Sequence, residues 1–371
     1  MPLHQHINRS GGFSLVEIMV GMVIGLLSMV IVLQVFTMFE GQKRTTTSGS
    51  DAQTNGAVAL YTIERDVRMA GYGFSIPEAL GCTINRSFNG TTLATLSLAP
   101  VTITKGVGGL PDSIRILSSS KGSWSIPARV TTDHPPTAAN FFLNTTLGMA
   151  VNDLLIAYEP GKDCTMLQIT NIPNGNIQIQ HQNTSPWDPP GGQNIFPASG
   201  YSAGAMLFNL GSLMDHTYSL DANNNLVLSE YDSTTNTSTA QSLLPDIVNL
   251  KAQYGFDTRP GIQTDARVDT WSEDMLDEDG DGTLGDSGDV SRIYAVRLAV
   301  VARSALKEKG DANGACNITT TTSANMPKWS DGTIIDVSKN PDGSANADWQ
   351  CYRYKTFETV IPLRNLIWRQ S

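Results

Sequence analysis

The chain has 371 residues, 40% of them apolar, enough for a substantial core in one large domain or two modest ones. Its formal net charge is −10, yet Asp269 to Asp289 alone holds nine acidic residues and no Lys or Arg, so the acidity is local and the rest of the chain stands at −1. That balance excludes a basic nucleic-acid surface, and nucleic acid is not expected as a partner.

A short polar leader, residues 1–12, precedes an apolar run from Phe13 to Phe39 whose only charge is Glu17. As a helix at about 1.5 Å per residue the run spans about 40 Å, more than the roughly 30 Å hydrocarbon core of a bilayer. A lone carboxylate in such a segment costs about 3 kcal/mol or more unless it finds a partner. The pair Gly11–Gly12 offers a protease an unhindered, extended backbone. A secretory signal peptide would have a shorter apolar region and a small-residue cleavage site, which Glu40 to Arg44 does not supply. A plain anchor accounts for the length but for neither Glu17 nor the glycines.

From Thr54 the pattern is that of an amphipathic helix, with Leu60, Ile63, Val67 and Ala70 on one face. Gly71, Gly73 and Pro77 end it. Gly41, Thr45 to Thr47, Gly49 and Gly56 are weak helix formers and predict a bend or a frayed turn. Residues 13–39 thus read as a membrane-spanning helix, 40–74 as its amphipathic continuation, and 75–371 as a β-rich globular domain open to a subdomain break near 215–246.

After Cys82 the period changes to two. Between Asp246 and Asp257, Val248, Leu250, Ala252, Tyr254 and Phe256 face one way, and Asn249, Lys251 and Gln253 the other. Between Ser291 and Ser304, Tyr294, Val296, Leu298, Val300 and Ala302 line one face, opposite Arg297 and Arg303. Tyr218 to Tyr231 reads as a hairpin around Asn223 to Asn225. Shorter strands are expected at Ser113 to Leu117, Leu154 to Tyr158, Met166 to Ile172 and Met206 to Leu210, with a last one from Tyr352 to Leu363. Thr184 to Gly204, Ser233 to Ser242 and Asn317 to Asn325 read as long loops. The expected fold class is α+β: a long N-terminal helix packed on a large antiparallel β domain.

Four cysteines, Cys82, Cys164, Cys316 and Cys351, all lie beyond the apolar run, and none forms a CxxC pair. An even count in an exported region points to disulfides. Of three connectivities, Cys316–Cys351 is favoured because it closes a short loop, which leaves Cys82–Cys164.

The acidic segment carries Asp277-x-Asp279-x-Asp281-Gly282, the first half of an EF-hand-type calcium loop. Three alternating carboxylates can converge on one hard cation, and Gly282 permits the turn. Thr283 would offer its carbonyl, and Asp286 and Asp289 would complete the set. The position of the usual bidentate Glu is Gly288, so this is a calcium loop without the EF-hand's second half. The plain alternative is a solvated acidic turn. Enzymatic signals are thin: beyond the leader the only histidines are His134, His181 and His216, with no HExxH, Gly-x-Ser-x-Gly or phosphate-binding loop. No catalytic residue is expected.

Gly12-Phe13-Ser14-Leu15-Val16-Glu17 resembles the class III signal of type IV prepilins. The resemblance implies cleavage between Gly12 and Phe13 by a prepilin peptidase, N-methylation of Phe13, and pairing of the Glu17 carboxylate with the terminal amine of a neighbouring subunit. Ile63 to Tyr72 with Cys82 shortly after, Val296-Arg297-Leu298 with Ala302-Arg303-Ser304, and Phe357 to Leu366 resemble the PilW family of minor pilins. These stretches bracket the chain from 11 to 366 and leave roughly 85 to 245 without recognisable signal. The resemblance implies a minor pilin that primes type IV pilus assembly near the tip and serves twitching motility and cell adhesion. Implied partners are other minor pilins, the major pilin, the inner-membrane assembly platform and a large tip adhesin. The protein would sit in the bacterial inner membrane with its β domain periplasmic, then at the pilus and cell surface. Two other readings share the sequence: a minor pseudopilin of a type II secretion system, and a membrane-anchored periplasmic enzyme or carbohydrate-binding module.

Overall fold

The computed structural model describes residues 12, 14–74, 76–122, 126–173, 177–188, 195–259, 267–310, 313–322 and 325–367. Residues up to Ser50 form one compact unit and Asp51 to Ser371 a second. A single α-helix, α1, runs Leu15–Val67, so the weak helix formers from Gly41 to Gly56 are all helical. It ends one turn earlier than the glycines suggest. Gly71 and Gly73, at φ 74° and 95°, belong to the turn that follows, and the Gly71 amide donates to the Leu117 carbonyl.

Within the second unit, the face of α1 that carries Ala52, Ala59, Ile63 and Val67 is buried in the main core with Ile247, Leu250, Leu298, Val300 and Ala302. Gly56 lies on this face for a steric reason. A Cβ there would overlap the Phe357 ring, and Ala302 Cβ would stand only 3.1 Å away. The glycine that weakens the helix in isolation lets it approach the sheet. Where α1 ends, Asp66 accepts hydrogen bonds from His216 Nδ1 at 2.8 Å and from the Tyr218 hydroxyl at 2.7 Å. Asn365 Nδ2 donates to the Ala70 carbonyl at 2.9 Å.

Among the described residues the β domain has two two-stranded sheets, Asn140–Phe142 with Gln178–Gln180 and Ser87–Phe88 with Thr91–Thr92, and three larger ones. The first is ordered Leu96–Ser97, Thr83–Asn85, Cys164–Gln168, Leu154–Tyr158, Met206–Gly211, Ala128–Arg129. The second is Thr237–Leu244, Leu226–Asp232, Leu213–Leu220, Ser113–Ser119, Val101–Thr104. The third is Thr270–Ser272, Ile247–Phe256, Ile293–Arg303, Tyr354–Pro362. Neighbours are antiparallel except Thr83–Asn85 beside Cys164–Gln168, which run parallel. The Cys82–Cys164 disulfide joins these two strands, and Cys316–Cys351 closes the second bridge.

Strand alternation was an incomplete guide to faces. Leu154–Tyr158 is buried on both sides: Ile156 faces the main core, while Leu155 and Ala157 face a second core with Phe141, Leu167, Ile179 and Leu207. In Ile247–Phe256 the register shifts between Ile247 and Asn249. That bulge turns Val248 away from Leu250 and into a third core with Ala299, Val301, Met326, Trp329, Ile335 and Val337. The expected common face of Val248 and Leu250 is therefore corrected. Asn249 and Lys251, expected on the opposite face from the apolar set, are buried, and Lys251 Nζ pairs with Asp112 Oδ1 at 2.7 Å. Arg297 lies under the same cover, 4.5 Å from the Trp329 ring, and pairs with Glu358 at 2.7 Å and Asp331 at 2.9 Å. Much of the expected loop Ser233 to Ser242 is strand, because Thr237–Leu244 pairs along Leu226–Asp232. The strand expected at Met166 to Ile172 begins at Cys164 and ends at Gln168.

Candidate functional site

In the first unit, the Ser14 carbonyl accepts the amides of Glu17 at 3.0 Å and Ile18 at 3.2 Å, which opens α1. Glu17 stands exposed in the first turn, where a negative charge complements the helix dipole. Gly12 has no heavy atom within 4 Å of the place a Cβ would take. Phe13, the expected new N-terminus and methylation site, lies outside the described residues. From Leu15 to Phe39 the helix is long and apolar enough to cross a membrane, and none of its side chains is buried. A continuous apolar surface of that size requires lipid or other helices around it.

In the second unit the acidic loop is built by its own carboxylates. Asp277 accepts the Gly280 amide at 2.7 Å and the Gly282 amide at 3.0 Å. Asp281 accepts the Thr283 amide at 2.6 Å. Asp286 caps the short helix Ser287–Val290 by accepting the amides of Gly288 and Asp289. Asp289 is fully buried and accepts the amides of Glu278 at 2.6 Å and Gly285 at 2.7 Å, tying the two ends of the loop together. Two overlapping carboxylate groups result, Asp277 with Asp279 and Asp281, and Asp279 with Asp286 and Asp289, each with oxygens within 4.8 Å of one another. Asp279 belongs to both. Burial raises the Asp286 carboxyl above its ordinary range, and the charges of Asp279 and Asp281 add to this. A side chain at Gly288 would collide with the Asp279 carboxylate, so the missing Glu of the EF-hand pattern is a position kept open. The loop rests against the first disulfide: a Cβ on Gly81, at φ 74°, would strike the Asp286 carbonyl.

Residues 215–365 match the family model of PilW, type IV pilus-assembly protein W. Residues 7–33 match the prokaryotic N-terminal methylation motif. Together the two matches support a type IV pilus-related pilin similar to the PilW family. No curated protein and no solved structure matches it. In this pilin the methylation motif covers Gly12, Phe13 and Glu17. The PilW match covers the entire third sheet, the acidic loop and both cysteines of the second disulfide. With its prepilin signal and apolar helix it is a membrane-anchored pilin with a globular domain.

Sequence reasoning missed three polar groups. The Asp66–His216–Tyr218 cluster joins residues 150 and 152 positions apart. Burial would raise the Asp66 carboxyl, but the bonds from His216 and Tyr218 hold it below the usual range, and Asp66 in turn raises His216. His134 Nε2 and His181 Nε2 meet at 2.9 Å inside the second core, where Phe141 stacks on His134 at 3.6 Å. Asp188 is buried, and its Oδ2 has no hydrogen-bond partner among the described residues. No spacing in the sequence marks any of these meetings.

Proposed function

We propose that this pilin is a minor pilin that primes type IV pilus assembly and stays at or near the filament tip, beside other minor pilins and a large tip adhesin. The observation that carries the reading is the bare apolar helix with one carboxylate in its first turn, joined to a PilW domain. The work done is docking rather than turnover. After cleavage between Gly12 and Phe13, α1 packs among the helices of neighbouring pilins, and Glu17 pairs with the methylated amine of an adjacent subunit. That pairing relieves a charge that would otherwise be costly in an apolar surround. A β domain of this size would obstruct a uniform shaft, which favours a low-copy, terminal place. Intact-mass measurement of the membrane-extracted protein tests the first step: loss of twelve residues and gain of one methyl group is expected, and an uncut chain overturns the reading. Gene deletion tests the second: loss of pili and twitching is expected, whereas intact pili with retained periplasmic exoenzymes would make it a secretion pseudopilin.

The same proposal includes calcium in the acidic loop, as a structural ion. The residues present fit it: every donor is a hard oxygen, Asp279 is shared by both carboxylate groups, and Gly288 leaves the carboxylate its space. Asp277, Asp279, Asp281, Asp286 and Asp289, with Thr283 in the turn, would hold it. Bound there, the ion would neutralise crowded negative charge. Calcium should raise the melting temperature of the full chain and EDTA lower it, and Asp279→Asn should abolish the difference. Identical melting curves with and without the ion would refute the assignment.

A further inference from the structure

An open groove of about 550 Å³ lies between the turn at Phe88 to Gly90, the segment Asn183 to Asp188, and Thr234. Its walls are fixed to one another. The Asn89 amide donates to the Pro186 carbonyl at 2.7 Å. Trp187 is buried beneath, its ring edge-on to Phe88 with centroids 5.1 Å apart, and its Nε1 donates to the Ser233 carbonyl at 2.9 Å. The Ser185 hydroxyl is committed to Gln168 and the Thr234 hydroxyl to Asp232. The side chains of Asn89, Asn183 and Thr184 are exposed on the rim and make no hydrogen bond with the described residues. Among the described residues no Lys or Arg lines the groove, and the one ionisable group there is Asp188. Asp188 forms the floor, accepting the Gln168 amide at 3.1 Å through one oxygen, with the other unpartnered among the described residues.

This combination selects a ligand class. An anion would find no cation. A purely apolar ligand would strand the two amides and the hydroxyl without partners. A carboxamide presents two donors and one acceptor in a plane, which suits neighbouring hydroxyl groups that each give and take a hydrogen bond. Half-exposed Phe88 and Pro186 offer an apolar wall for the C–H face of a sugar ring. We propose that this groove binds a neutral saccharide, with Asn89, Asn183 and Thr184 holding its hydroxyls and Phe88 under the ring. Burial pushes the Asp188 carboxyl up to about 7, so near neutrality the floor carries only part of a full negative charge. The proposal does not depend on where the protein sits in a pilus.

The test uses the full chain in a zwitterionic detergent free of sugar groups, on an immobilised panel of neutral oligosaccharides ending in glucose, galactose, mannose or N-acetylhexosamine, with sialylated counterparts. At least one neutral class should be retained and released by the same free sugar. Asn183→Ala with Thr184→Ala should weaken that binding about tenfold, the equivalent of about 1.4 kcal/mol. Both residues are exposed and bond to nothing described, so the melting temperature should not change. Retention of no neutral sugar, retention of sialylated sugars alone, or binding indifferent to the double substitution would each overturn the proposal.

Discussion

Lowering the pH from 7 to 5 should weaken the β domain through His134 and His181. The two rings face each other at 2.9 Å among Phe141, Phe196 and Tyr201, and neither forms an ion pair with an acidic group among the described residues. Burial lowers His134 to about 4, and burial together with the neighbouring ring lowers His181 to about 3. In the unfolded chain both titrate near about 6.5. The folded state therefore has its full stability above that pH and loses it as the pH falls toward the folded values. The slope is about 1.4 kcal/mol per pH unit for each ring. At pH 5 the loss is about 2 kcal/mol for one ring and about 4 kcal/mol for both, a large part of a typical domain's stability. Urea denaturation of the full chain, followed by the fluorescence of buried Trp187 and Trp329 at steps from pH 7.5 to 5, reads this slope. His181→Gln keeps a donor toward His134 and removes one titrating ring, so its slope should be about half that of the wild type. Equal slopes, or a wild type indifferent to pH 5, would refute the reasoning.

Three further outcomes are expected. Gly56→Ala should cost about 1–3 kcal/mol, because the added methyl must displace the Phe357 ring or lift α1 from the sheet; thermal melting checks this, and Gly56→Ala combined with Phe357→Leu should recover part of the loss. His216 is raised by Asp66, so its contribution is complete below the unfolded value and fades as pH rises through the folded one. His216→Asn should therefore cost about 1–3 kcal/mol at pH 6 and less at pH 9, as measured by denaturation at the two pH values. Replacing Cys82 and Cys164 by Ser opens a loop of 82 residues and should cost about 4–5 kcal/mol, visible as a fall in the urea midpoint; an unchanged midpoint would mean that the bridge does not constrain the unfolded chain.

The anchor half of the protein was legible because its physics is local: an apolar run, one carboxylate and two glycines need no tertiary partner to be recognised. The third sheet was legible through its alternating strands, and so was the hairpin at Asn223 to Asn225. The faces were harder. A single bulge at Val248 exchanges one core for another, and a cover formed around Trp329 turns the polar side of a strand into interior. Neither leaves a periodic trace. Gly56 was misjudged because helix propensity describes an isolated helix, whereas its reason for being there is a ring contributed by a distant strand. The clustering of carboxylates in the acidic loop was legible in their spacing, but the histidine pair and the Asp188 groove depend on chain crossings that no local pattern encodes.

The contact between Gly56 and Phe357, with the bond from Asn365 to Ala70 across 295 positions, also has a meaning in time. The helix is made early in synthesis, and the strand that covers its small-residue face comes late. Contacts so far apart in sequence are closed slowly, because the intervening chain must first be ordered. Until Tyr354–Pro362 arrives, the helix at Gly56 lacks its Phe357 cover. Maturation of the helix surface is thereby coupled to nearly complete synthesis, and a truncated subunit would offer neighbouring chains an unfinished face.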